Sequence, residues 1–356
     1  MRALAIIFVV IGHGNMLQHV DTGYPWIKLI NGVELFFVLS GFLIGGILIK
    51  TFQNAETFSL KLVWQFWIRR WFRTLPNYYL ILLINILIVY FGLTGANYDF
   101  FNWKFFFFLQ NFSSYFVNFF WESWSLTIEE WFYLLFPILL FVIYYILSAF
   151  KIARKSIFLI AIAVFFLVPF LLRFYIASEM QVDSFWLHVK INKVVIFRID
   201  SIAWGLLAAV IKYYKPKFWY STRNWAFIIG IVLSYVILYS NFGGPNDFFT
   251  KVYKVYFTSI GCFLLLPKFD SLKTAPRIIT NVVTHISIIS YSMYLINLSI
   301  ISDLLTKNFM PKTDAQAWFL YGIYWVLVLL FSTLLYKYFE KPMLDLRDRI
   351  GQKKGD

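Results

Sequence analysis

The 356-residue sequence is poor in charge, in cysteine and in histidine. Only 14% of its residues are charged, and 18 are acidic. That is too little polar surface for a soluble domain of this length. One cysteine, Cys262, excludes an intramolecular disulfide and any cysteine-based metal site. The four histidines, His13, His19, His188 and His285, are scattered without metal-ligand spacing, so no metal is expected. Low-complexity tracts and internal repeats are not evident. No A-x-A-like cleavage site follows the first apolar stretch, so 2–18 reads as a retained helix and not as a signal peptide.

What the chain has instead is apolar length. Hydrophobic residues make up 60% of it, the mean hydropathy is +0.70, and runs long enough to cross a bilayer recur from end to end. The fold class is therefore all-α, a polytopic membrane bundle. Ten spans are expected, at 3–19, 29–49, 76–93, 130–149, 156–176, 193–211, 225–241, 253–267, 286–305 and 317–337. One set of connections (50–75, 150–155, 212–224, 268–277 and the tail beyond 336) holds 21 Lys and Arg. The alternate set (20–28, 94–129, 173–193, 242–254 and 306–316) holds 9. The positive-inside rule then puts both termini in the cytoplasm. It also explains the net charge of +14 without nucleic acid, because the basic residues lie between apolar runs and not in one patch. The stretch 100–120, with its Phe105–Phe108 run, reads as interfacial, since Trp103, Lys104, Gln110 and Asn111 interrupt it. A single membrane domain is expected over 1–350, with a short cytoplasmic tail at 351–356 and no soluble domain.

Ionisable groups inside apolar spans are functional candidates. The first helix carries Arg2 and His13, eleven residues apart. Eleven steps of about 100° are close to three turns, so the two share a face, about 16 Å apart along the axis. A ligand could be held at one end of that face and worked on at the other. A snorkelling arginine and a core histidine are the plainer alternative. Glu34, in the outer third of the second span, is the expected carboxylate for the His13 imidazole. Ser40, Gly41, Gly45 and Gly46 suit close helix packing. Arg69, Arg70 and Arg73 follow the second span in a cytoplasmic loop flanked by tryptophans. They suit either anionic lipid heads or a phosphate-bearing ligand. Before the fourth span, Thr127 and Glu130 have capping-box spacing, while Glu129 with Trp124 and Trp131 resembles a sugar-binding mouth. Arg198 and Asp200 point about 160° apart and cannot pair with each other. Each needs a partner on another helix, with Glu34 or Glu129 the candidates for Arg198.

Together these motifs resemble the membrane-bound acyltransferase family 3, bacterial O-acyltransferases of surface polysaccharides and related acceptors. The family's Arg-x10-His pair falls on Arg2 and His13. Its Gly-Val-acid-x-Phe-Phe-Val-Leu-Ser-Gly-Phe-Leu-Ile segment falls on Gly32–Ile44, and its arginine-rich segment ending in Leu-Pro on Arg69–Pro76. Its Trp-Ser-Leu segment matches Trp124–Tyr133, its Arg-x-Asp segment Arg198–Gly205, its Ser-Tyr-x-x-Tyr-Leu segment Ser290–Leu295, and Glu-x-Pro matches Glu340–Pro342. The order of all seven is that of the family. Two positions depart from it. Members commonly carry Asp-Gly-Leu before the arginine, where this sequence begins at Met1-Arg2. They also often carry a histidine where this sequence has Asn297.

The resemblance implies transfer of an acyl group, most simply acetyl, from cytoplasmic acyl-CoA to a hydroxyl of a cell-surface or lipid-linked glycan. The enzyme would lie in the bacterial cytoplasmic (inner) membrane. Acetyl-CoA is then a co-substrate, and no cofactor is bound permanently. The catalytic set is His13, Arg2 and Glu34, and the donor set is Arg69, Arg70 and Arg73. An outer acceptor pocket is expected from Trp124, Ser125, Glu129 and Glu130. Arg198, Asp200, Tyr291 and Asn297 complete it. No SGNH-type esterase domain is expected, so the acyl group goes to the acceptor directly or to a separate extracytoplasmic protein. The rival reading of buried charges in such a bundle is a proton-coupled flippase or exporter of lipid-linked sugars.

Overall fold

The computed structural model describes residues 1–17, 31–239, 243–272 and 276–352. The expected outer connection 20–28, His19 and residues 353–356 of the tail lie outside the described residues. Every regular element among the described residues is helical. In chain order the α-helices are α1 (Arg2–Gly12), α2 (Gly32–Asn54), α3 (Leu60–Tyr90), α4 (Ser123–Ser148), α5 (Arg154–Glu179), α6 (Ser184–Lys190), α7 (Val195–Arg198) and α8 (Asp200–Tyr214). Then come α9 (Pro216–Ser221), α10 (Arg223–Tyr239), α11 (Lys254–Ser271), α12 (Arg277–Ile296), α13 (Asp303–Asn308), α14 (Asp314–Leu335) and α15 (Lys341–Gln352). Single π-helical stretches join some of them. Phe249–Tyr253 leads into α11, Asn297–Ser302 joins α12 to α13, and Tyr336–Glu340 joins α14 to α15.

Among the described residues seven helices are long and apolar enough to cross a membrane. An eighth arises if the pair α6 and α7–α8, bent by 97°, counts as one broken span. α1 and α10 are apolar but shorter. Each expected span overlaps one of these helices.

Three boundaries differ from the sequence reading, each for a local reason. The arginines after α2 are on a helix and not in a loop, because α3 starts at Leu60 and runs through Pro76. A proline inside a buried helix is tolerated where neighbours take up the freed carbonyl. α4 begins at Ser123, so Thr127 and Glu130 are interior and form no capping box. Thr127 instead donates to the Ser123 carbonyl (3.1 Å) and accepts from Gln110 (2.7 Å). Arg173, counted with an outer connection, lies inside α5 and is fully buried. The stretch 100–120 makes short 3-10 turns at Tyr98–Phe100 and Trp103–Phe107. Phe105, Phe119 and Phe120 go into the core there, while Trp103 and Phe107 stay 61% and 65% exposed.

The centre of the bundle is the contact of α2 with α8. A Cβ added at Gly41 would meet the Ile202 carbonyl oxygen at 2.0 Å, and one at Gly205 the Val38 carbonyl oxygen at 2.0 Å. Only glycine lets the two backbones touch here, and Gly45 continues the contact one turn on. Gly46 faces open space. Helix ends are closed by cations, as the helix dipole favours. The Arg154 guanidinium donates to the carbonyls of Phe52 (2.8 Å), Gln53 (3.1 Å) and Ala55 (2.5 Å) at the end of α2. Buried Lys251 donates to Ala177 (3.1 Å) and Met180 (2.5 Å) at the end of α5.

Candidate active site

α1, α3, α4 and α12 line a partly open cavity, floored by α2. Arg2 projects into it from the start of α1, and Arg70 and Arg73 from α3. Residues three apart share a helix face, which is why Arg70 and Arg73 act together. Arg69 is exposed and outside the cavity, so only two of the three arginines expected for the donor line it. Six of the arginines fall into two classes. Arg154, Arg173 and Arg198 are engaged by carbonyls or carboxylates. The guanidinium groups of Arg2, Arg70 and Arg73 make no hydrogen bond or ion pair among the described residues. Three such groups on one cavity are of the type that suits an anion.

Glu129 also faces this cavity, accepting from Ser40 (2.9 Å) and Tyr133 (3.0 Å). Six residues into α4, it stands with the arginines and not at the outer mouth where the sequence reading put it. Glu130 is buried beside Arg70. Tyr291 lines the cavity and donates to the Thr74 carbonyl (2.9 Å). At the far end Ser125 and Tyr294 close it with a 2.5 Å hydrogen bond between their hydroxyls. Phe36 packs edge-on against Tyr294, with ring centroids 6.2 Å apart.

One turn beyond Tyr294 on the same helix face stands Asn297, where the helix opens into its π stretch. π stretches recur at functional positions because the extra residue re-aims a side chain. Asn297 Nδ2 donates to the carbonyls of Met293 and Tyr294, each at 2.8 Å. Those bonds commit its Oδ1 to His13, 2.6 Å from Nδ1. A carbonyl oxygen only accepts, so Nδ1 carries the proton and Nε2 keeps its lone pair. Tyr324 donates to the Val10 carbonyl (3.1 Å) and Ser302 to the His13 carbonyl (2.9 Å), which fixes the end of α1.

Glu34 is not the partner of His13. Its carboxylate pairs with Arg198 and accepts from Ser259, tying α2 to α7 and α11. A buried carboxylate is first neutralised by a full charge, and a neutral ring is a weaker partner. Asp200 is taken by Arg173, with Oδ1 3.1 Å and Oδ2 2.5 Å from the guanidinium. Arg198 and Asp200 thus hold helices together and do not line the cavity. Trp124 packs edge-on against Phe37, also away from the cavity.

The sequence reading missed Tyr294, Arg173, Ser299 and Glu122 as structural participants. Arg173 carried a signal, since it is an arginine inside the apolar run 156–176. Ser299 donates to Glu122 through both its backbone N–H (3.2 Å) and its hydroxyl. Glu122 lies just before α4, outside the spanning helices, and burial pushes its carboxyl up to about 8.

Along the axis the order is thus Arg70 and Arg73 with Arg2, then Glu129 and Tyr133, then Ser125 with Tyr294, then Asn297 with His13. Such a series can hold an anionic group at one end and offer an oriented imidazole at the other. A family profile described as an acyltransferase domain matches residues 1–337. Among curated proteins, the chain is 38% identical over 159 residues to a peptidoglycan O-acetyltransferase of Listeria monocytogenes, covering 40% of this chain and 23% of that protein. It is 32% identical over 165 residues to a putative peptidoglycan O-acetyltransferase of Bacillus subtilis, covering 42% and 24%. A putative O-acetyltransferase of Staphylococcus aureus (strain COL) is 32% identical over 155 residues, covering 39% and 24%. The matched stretches span about a quarter of those longer relatives. No solved structure matches the chain. With the profile running from the first residue through α14, the chain belongs to the acyltransferase family 3.

Proposed function

We propose that the protein is a membrane O-acyltransferase that moves an acyl group, acetyl in the first instance, from cytoplasmic acyl-CoA to a hydroxyl of an extracytoplasmic glycan. The observation that carries this reading is the cavity lined by three guanidiniums that make no hydrogen bond or ion pair among the described residues, with the oriented His13 imidazole, its Nε2 lone pair free, beyond the Ser125–Tyr294 pair. The names of the relatives, peptidoglycan O-acetyltransferases among them, agree with it. On this reading the bundle spans a bacterial cytoplasmic membrane ten times, with both termini in the cytoplasm. Arg70, Arg73 and Arg2 hold the phosphates and guide the pantetheine arm, which parts Ser125 from Tyr294. His13 Nε2 takes the proton of the acceptor hydroxyl as its oxygen attacks the thioester carbonyl. The C–S bond breaks, and the leaving thiolate takes that proton back from the imidazolium. Ester and free thiol result. Acetyl-CoA is a co-substrate, and no bound cofactor takes part.

The test uses variants at matched abundance in native membranes. His13→Ala is expected to abolish acyl transfer while the protein still inserts. A charge-assisted contact contributes about 1.5–3 kcal/mol. Arg70→Ala or Arg73→Ala should therefore raise the apparent acetyl-CoA constant roughly 10- to 100-fold. Arg69→Ala, outside the cavity, should leave it unchanged. A transporter would leave acetyl-CoA intact, so absence of thioester consumption by the wild-type protein overturns the reading.

A further inference from the structure

A second cleft lies beyond His13, on the side away from the arginines. It has about 800 Å³ of empty space and is open to the surface. Asn118 and Trp121 line one wall, from the connection before α4. Asp303, Thr306 and Met310 line the other, from α13 onward. Asn118 and Trp121 fall in the connection 94–129 and Thr306 and Met310 in 306–316, both of the set that the charge count puts outside, and Asp303 is in the last turn of the expected span 286–305 before the latter. Two links tie the cleft to the imidazole. Asp303 directly follows Ser302, whose hydroxyl holds the His13 carbonyl (2.9 Å). Lys193, within electrostatic range of His13, packs on the Trp121 ring with Nζ 4.7 Å from its centroid.

The cations near this cleft are already engaged. Lys307 donates to the carbonyls of Gly92 (2.5 Å) and Thr94 (2.7 Å). The half-buried carboxylate of Asp303, by contrast, makes no hydrogen bond or ion pair among the described residues. It is an acceptor directed at an open volume, next to an aromatic wall and flanked by the amide of Asn118 and the hydroxyl of Thr306. An anionic ligand would be repelled by it. A metal cation would need more carboxylates, and no cluster of three metal-ligating side chains occurs among the described residues. A neutral, hydroxyl-rich ring satisfies the set, donating to the carboxylate and laying apolar C–H surface on the indole.

We propose that this cleft is the acceptor site and that it binds a neutral saccharide, with Asp303 and Trp121 as its principal contacts. The proposal rests on the reading of His13 as the acyl-transfer centre. It moves the acceptor away from Trp124, Glu129, Arg198 and Asp200, and it leaves the donor cavity and the acceptor cleft on opposite sides of His13.

The test runs in cells that lack any other copy of the gene, at matched protein level. Alkali-released acetate from the surface glycan fraction reports transfer, and acetyl-CoA binding to isolated membranes reports the donor side. Asp303→Asn and Trp121→Ala are expected to cut released acetate at least tenfold with acetyl-CoA binding within twofold of wild type, and Trp121→Phe to recover part of the loss. A Met310→Cys variant adds an accessibility readout, since Met310 is 73% exposed and the native Cys262 is buried. A bulky membrane-impermeant maleimide on intact cells should label it and stop acetate incorporation. Full acetate release by Asp303→Asn overturns the proposal. So does parallel loss of acetyl-CoA binding, or a cysteine that reacts only in inverted vesicles. If His13→Ala retains acetate release while Asp303→Asn does not, the catalytic reading fails and the cleft stands.

Discussion

The Asn297 amide is held from both ends. Two carbonyls take its hydrogens, and the only oxygen left faces His13. On the proposed function it acts through the ring, as a positioning residue. Asn297→Leu removes the acceptor and frees the ring to carry its proton on Nε2, where it cannot act as a base. General-base catalysis contributes about 10²–10⁴-fold, so kcat should fall by about 10² or more with the acetyl-CoA constant unchanged. Asn297→Asp, which keeps an oxygen toward Nδ1, should restore part of kcat. Steady-state kinetics in membranes separates the two parameters, and equal losses from both variants would reduce Asn297 to a packing role. The sequence showed this asparagine as a departure from the family's histidine, but not what it touches. Depth along each helix made Glu34 the candidate partner, because depth is what a sequence reports. Azimuth and helix-to-helix distance decide the pairing, and they gave Glu34 to Arg198.

Between elements, α2 and α8 depend on the absence of side chains. Gly205→Ala or Gly41→Ala places a methyl inside a carbonyl of the facing helix. Overpacking costs about 1–3 kcal/mol, more when only backbone can yield. Each variant should lower the thermal midpoint in detergent and the steady-state level in membranes. Gly46→Ala, with nothing within 4 Å, should match wild type within about 0.5 kcal/mol. Equal behaviour of Gly46→Ala and Gly205→Ala would remove the backbone contact as the cause. The run Ser40–Gly46 announced close packing from the sequence, yet only the fold distinguishes the glycines at the contact from the one in open space. α3 teaches a related lesson. A proline after a basic cluster reads as the start of a span, and the helix passing through Pro76 turned three loop arginines into two that share a face and one that does not.

For the molecule as a whole, apolar length made the helical bundle legible, because it follows from the bilayer and not from any partner helix. With Cys262 buried, Asn246→Cys should react with an impermeant maleimide on intact cells and Lys215→Cys only after the membrane is opened. The reverse pattern would invert the topology. The two polar cavities and the break between spans are invisible at this level, since they form where helices from distant parts of the chain converge. Their separation by the Ser125–Tyr294 bond has an electrical consequence. A polar column through a bilayer is a conductor unless something interrupts the water in it. At 100 mV, each charge that leaks dissipates about 2.3 kcal/mol of the cell's stored gradient. On the proposed function, with a donor side and an acceptor side, the hydroxyl pair and the Phe36 ring against it would interrupt that water and let the membrane hold its voltage. Tyr294→Ala in liposomes loaded with a pH-sensitive dye should therefore pass protons that the wild-type protein keeps out.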